Sequence, residues 1–119
     1  AGRAKAVAVN AAVLENIAAR GVDLGPSRQV NFTHIFIDLE SARAFADEAM
    51  REGYAVETRP FADEEFPWDV QASRMMIPTA EMITTVEFDL NYLATMCGGR
   101  ADGWGFYSPG PIPSETIQD

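Results

Sequence analysis

Gln29-Val30-Asn31-Phe32-Thr33-His34-Ile35-Phe36-Ile37-Asp38-Leu39 is the stretch on which the fold turns. Apolar side chains fall on both parities. Val30, Phe32 and Phe36 share one face of an extended chain, and Ile35, Ile37 and Leu39 share the other. A strand that is apolar on both faces belongs inside a sheet or is covered on each side. The segment therefore predicts a central strand over 29–39, and the rest of the chain must supply its neighbours.

On the N-terminal side, residues 5–20 are alanine-rich, with Val9, Val13 and Ile17 in register and Leu14 one step round. That spacing predicts an amphipathic helix. Gly21 stops it and Gly25-Pro26-Ser27 makes a turn. On the C-terminal side, Ser41 is placed to cap a helix whose stripe is Ala42, Phe45, Ala46 and Ala49. Gly53 ends that helix. A strand over 54–59 follows and stops at Pro60, and 61–67 form an acidic turn. Residues 68–77 predict a third strand, hairpin-paired with the second. Met75 and Met76 alternate faces on it, so one of them is core. Thr79 caps a helix over 80–96 with the stripe Ile83, Val86, Leu90, Leu93 and Cys97. Gly98-Gly99 closes it, and 103–107 form a last short strand. Residues 108–119 hold three prolines and read as an extended or disordered tail.

After the first helix the order is strand, helix, strand, strand, helix, strand. This predicts an α+β, ferredoxin-like split βαβ (βαββαβ) antiparallel sheet with two helices on one face, preceded by an extra N-terminal helix. The expected organisation is an N-terminal helix and turn over 1–28, the ferredoxin-like domain over 29–107 and the proline-rich tail over 108–119.

Composition narrows the function. The 119 residues are 47% hydrophobic, enough for one folded domain. No apolar run approaches the ~20 residues that cross a bilayer, and no signal-peptide pattern is evident. The formal charge is −9. From Asp38 to Asp69 ten carboxylates face three arginines, which leaves −7 in that stretch. Such a surface repels phosphate backbones and attracts a basic partner. A single cysteine excludes an internal disulfide framework and fits a reducing compartment.

No motif carries chemistry. His34, the only histidine, shares a parity with Val30, Phe32 and Phe36 and reads as a packed residue; a general base needs an orienting partner and a substrate pocket. Cys97 sits on an apolar stripe as a small hydrophobe. Asp63, Glu64 and Glu65 are consecutive and lack the alternating spacing of a calcium loop. No phosphate-binding glycine loop is present. No metal or cofactor is expected. Phe32, Phe36, Tyr54 and Trp68 offer a sheet platform for stacking bases, but the chain has one lysine and scattered arginines, which argues against direct RNA binding.

The segment Asp102-Gly103-Trp104-Gly105-Phe106-Tyr107 places a large ring between two glycines. Read structurally, Trp104 locks the last strand against the helices. Read functionally, Trp104, Phe106 and Tyr107 are an aromatic hot spot for a protein partner. The structural reading is preferred.

With these residues in hand, 29–107 resemble the regulator of ribonuclease E activity B family of small acidic bacterial proteins. The resemblance rests on Asp102-Gly103-Trp104-Gly105 followed by Tyr107, and on His34 with its strand followed by Gly53-Tyr54-Ala55-Val56. It implies a fold signature at Asp102, Gly103, Trp104, Gly105, Tyr107, Gly53 and Tyr54. It also implies a cytoplasmic, non-enzymatic inhibitor that binds the non-catalytic region of ribonuclease E. The acidic helix and tail of the enterobacterial type are not reproduced: residues 1–20 hold one acid, Glu15. The candidate partner contacts are Asp47, Glu48, Glu52, Asp63, Glu64 and Glu65. An RNA-binding module and a small ligand-binding or enzymatic dimer using the open sheet face are the alternatives.

Overall fold

The expected central strand is internal to the sheet. The computed structural model describes residues 2–106, so Tyr107 and the proline-rich tail lie outside the described residues. In chain order the elements are α1 (Gly2–Ala19), β1 (Arg28–Phe36), α2 (Leu39–Arg51), β2 (Ala55–Pro60), β3 (Trp68–Met76), α3 (Ala80–Met96) and β4 (Gly99–Phe106). The architecture is α+β, three helices and one four-stranded antiparallel sheet in the order β2-β3-β1-β4, with the N-terminal helix first. The hairpin expected between the second and third strands is β2–β3, running from Ala55↔Ser73 to Pro60↔Trp68.

One face of the sheet is the core. Val30, Phe32, His34 and Phe36 of β1 are buried on it, with Val70, Ala72 and Met76 of β3. Across them lie Ala42, Phe45, Ala46 and Ala49 of α2 and Ile83, Val86 and Leu90 of α3, each at its expected helical spacing. Of the two methionines, Met76 is core and Met75 is exposed. The opposite face is polar and internally bonded. The Gln29 amide donates to Asn31 Oδ1 (2.9 Å), and the Ser73 hydroxyl donates to the same oxygen (2.8 Å). Arg59 pairs with Asp69 at 3.2 Å. Ile35 is buried on this side.

Several expected boundaries move, each for a local reason. β1 ends at Phe36, so Ile37 and Leu39 do not extend its second face; Ile37 is exposed and Leu39 opens α2. The cap of α2 is Asp38, not Ser41: its carboxylate accepts the Ser41 amide at 2.7 Å. That bond holds the Asp38 carboxyl below the usual carboxylate range. Thr79 caps α3 as expected, accepting from the Met82 amide. β4 begins at Gly99, four residues earlier than expected. A Cβ on Gly99 would lie 2.3 Å from the Phe36 ring and 2.5 Å from the Ile35 carbonyl oxygen. This glycine therefore does more than end a helix: it lets β4 close against β1.

His34 is a fully buried imidazole, its ring 4.6 Å from that of Phe45. Its Nδ1 has no hydrogen-bond partner among the described residues. Burial is the largest cause that lowers its pKa from 6.5 to about 4, partly offset by the backbone of Val70 and Phe32. Because the folded pKa is the lower one, the unfolded chain takes up a proton first as pH falls. The contribution is complete above pH 6.5 and is lost progressively toward pH 4. Between pH 7.5 and 5 the loss is about 2 kcal/mol. Urea unfolding at those two pH values should show this drop in the natural chain and a smaller one in His34→Gln; equal drops would contradict a buried neutral histidine.

Candidate functional site

Trp104 stands opposite Phe32 on β4. The residues before it make the irregularity that sets its position. Thr33 pairs with Gly103 and His34 with Ala101, so Asp102 is an extra residue in the ladder. Gly103 carries the bulge at φ +118°, a conformation that other residues rarely adopt. Next to it, the Ala101 amide donates to Asn91 Oδ1 of α3 at 3.2 Å. Past it, the Trp104 ring is half-buried and its Nε1–H donates to Asn10 Oδ1 of α1 at 3.0 Å.

Asn10 then connects three elements. Its Nδ2 donates to Thr84 Oγ1 (2.9 Å) and to Glu87 Oε1 (2.7 Å), both on α3. Thr84 in turn donates to the Ala80 carbonyl at 2.7 Å. Asn10 and Leu14 are the two buried residues of α1, whereas Val9 and Val13 of the expected stripe are exposed. The correction has a physical cause: α1 leans on α3 along a line through Asn10 and Leu14, and the polar Asn10 is the residue that line requires. Sequence reasoning passed over Asn10, Thr84 and Glu87. An asparagine one helical turn before Leu14 was the available signal.

The other signature residues lie elsewhere. Gly53 follows α2 at φ +97°, and Tyr54 is buried beneath the Arg74 guanidinium, 4.0 Å from its ring centroid. Arg74 also donates to the Glu52 carbonyl. Burial raises the Tyr54 pKa; the Arg74 charge opposes that shift, and the charges of Asp89 and Glu52 add to it. Gly105 has no left-handed φ, and a Cβ there would meet open space; nothing in this chain explains a glycine at that position.

The six candidate acids form two groups. Asp47, Glu48 and Glu52 lie on or just after α2, and Asp63, Glu64 and Glu65 lie in the β2–β3 loop. Glu52 precedes β2 and Asp63 follows it, so these two sit at opposite ends of that strand. The Asp63 carboxylate shapes its own loop, accepting the Glu65 and Phe66 amides at 2.9 and 2.8 Å. Glu64 and Glu65 are exposed. Glu48 pairs with Arg51.

The Cys97 thiol is not activated. Cys97 is the C-cap of α3 and half-buried; burial first, then the Glu48 charge, pushes its thiol pKa up. No group of three or more metal-ligating side chains occurs among the described residues. Phe32, Phe36 and Tyr54 are buried and Trp68 packs against the core, so these rings do not form an open stacking platform.

The sequence profile described as Regulator of ribonuclease activity B matches residues 8–106. The chain belongs to this family. No curated protein matches it. The matched span takes in Asn10, Trp104 and both signature segments up to Phe106. The family is one of regulators and not a known enzyme family, and it implies a ribonuclease as the regulated partner. No helix among the described residues is long and apolar enough to cross a membrane.

Trp104→Phe and Asn10→Leu should each cost about 1–3 kcal/mol, because each leaves a polar partner unpaired. Their double-mutant cycle, read by urea unfolding, should show a coupling of at least ~0.5 kcal/mol. Trp104→Ala should cost more, on the order of 3–5 kcal/mol. Strict additivity of the first two would remove the Trp104–Asn10 bond as an anchor of α1.

Proposed function

We propose that this protein is a non-enzymatic, cytoplasmic regulator that binds a ribonuclease, in its most specific form ribonuclease E, through carboxylates facing basic segments of that partner. The family supports the regulatory role. The observation that carries the mode of binding is the unneutralised charge. Of the ten carboxylates from Asp38 to Asp69, only Glu48 and Asp69 form ion pairs among the described residues. We read the β2-β3-β1-β4 order with its two split βαβ connections as a ferredoxin-like scaffold for this surface. On this reading Asp102, Gly103, Trp104, Gly105, Tyr107, Gly53 and Tyr54 are residues of the fold, and the two acidic groups are contacts or steering charges.

Unneutralised carboxylates on an exposed surface act over roughly a Debye length, about 10 Å at 0.1 M salt and 3 Å at 1 M. Capture of the same organism's ribonuclease E by the full chain should therefore succeed at about 0.05 M salt and fade toward 1 M. The double reversal Asp47→Lys/Glu64→Lys alters two exposed positions, one in each group. It should leave the unfolding curve in place and weaken capture by about tenfold or more, ~1.4 kcal/mol. Absence of capture at low salt would sink the ribonuclease assignment, and capture indifferent to salt would sink the electrostatic mode.

A further inference from the structure

α3 shows an apolar ridge to solvent. Phe88, Tyr92 and Met96 recur every fourth residue and are 44%, 67% and 69% exposed. Residues at that spacing lie one above another on a helix. Folded monomers seldom leave such a row uncovered, and aromatic and methionine side chains are enriched where partners dock.

Phe88 borders a hollow toward α1, while between α2 and the Tyr92–Met96 end of the ridge lies a trough made of two adjoining hollows. One, of about 510 Å³, is lined by Ala44, Leu93, Met96 and Cys97 together with Asp47, Glu48 and Arg51. The other, of about 300 Å³, is lined by Tyr54, Leu90, Tyr92 and Leu93 together with Glu52, Asp89 and Arg74. Leu93 borders both, so the two adjoin. The trough follows α2 from Ala44 to Glu52 and α3 from Asp89 to Cys97. Eight residues of helix are ~12 Å, and an apolar i, i+7 pair on a docking helix spans ~10.5 Å.

The rim has a sign. Four carboxylates, Asp47, Glu48, Glu52 and Asp89, outnumber two guanidinium groups, Arg51 paired with Glu48 and Arg74 over the Tyr54 ring and on the Glu52 carbonyl. Asp47, Glu52 and Asp89 form no ion pair among the described residues. An apolar lining with a net acidic rim is complementary to a helix with an apolar stripe flanked by lysine or arginine.

We infer that the α2–α3 trough is the docking site for a basic amphipathic helical segment of a protein partner. The inference rests on the reading of this chain as a binder of basic segments, and it selects Asp47, Glu48, Glu52 and Asp89 over the β2–β3 loop as the contact surface.

The test uses the full chain and three synthetic helical peptides of about 18 residues, ~27 Å as a helix. One has leucine at i, i+4, i+7 and i+11 with lysine and alanine elsewhere. The second replaces lysine by glutamate, and the third replaces leucine by serine. The lysine–leucine peptide should bind, with amide shifts concentrated on Ala44, Glu48, Leu93 and Met96. The other two should bind at least about tenfold more weakly. Met96→Lys alters an exposed position, leaves the unfolding curve unchanged and should weaken the first peptide by a similar factor. The same variant should weaken capture of ribonuclease E. Shifts elsewhere, or equal binding of all three peptides, would overturn the trough. Ribonuclease capture that Met96→Lys leaves intact would overturn it too, while the regulatory reading stood. Peptide binding in the trough without ribonuclease capture would support the trough and overturn the choice of ribonuclease.

Discussion

The bond between the Trp104 indole and the Asn10 side chain decides where the first helix lies. α1 has little apolar surface in contact with the rest of the fold, and only Asn10 and Leu14 are buried on it. Its docking therefore depends on a polar node that is directional. The Asn10 carbonyl accepts from β4 and its amide donates twice to α3, so the three elements are held in one register. A buried amide with all its partners present specifies one arrangement, because any sliding of the helix breaks several bonds together. The Asp102–Gly103 bulge serves the same node by bringing the Ala101 amide to Asn91 of α3 just before the Trp104 position.

The placement of α1 has a consequence on the other side of α3. α1 covers the flank that carries Thr84 and Glu87, while the flank toward α2 stays open. Tyr92 and Met96 remain outside the core although α3 is the most apolar of the three helices. A helix whose apolar positions exceed one stripe must bury the surplus against something or leave it in water. Here the first stripe goes to the sheet, the second to α1, and the third borders a trough rimmed by carboxylates.

Much of the fold was legible because the signals were periodic. The α2 stripe and the positions Ile83, Val86 and Leu90 on α3 are buried as their spacing implied, and β1 is internal as its two-sided apolarity implied. What escaped was set by contacts between distant segments. Gly99 looked like a helix stop because nothing local reveals the Phe36 ring that excludes a side chain there. Asn10 carries no local signal of its role because its three partners lie more than seventy residues away. Asp38 displaced Ser41 as a cap because the strand ended three residues earlier than the apolar run suggested. For the candidate site, the excess of charge was legible, but which acids share a surface with Leu93 and Met96 was not.

The two sets of residues answer to different physics, and that separation bears on how the family varies. The core and the Asn10 node are neutral or internally bonded, and the carboxylates form only two ion pairs among the described residues. Exposed charges of this kind add little to stability and act mainly through long-range fields. A chain can therefore change the number and position of its rim acids while the Trp104–Asn10 register and the sheet persist. The absence of an acidic N-terminal helix fits this division: α1 is occupied in holding β4 to α3, and the negative charge is carried on α2 and the β2–β3 loop instead. Whichever surface the fold leaves open is free to carry that charge, and in this protein the side of α3 that α1 does not cover is such a surface.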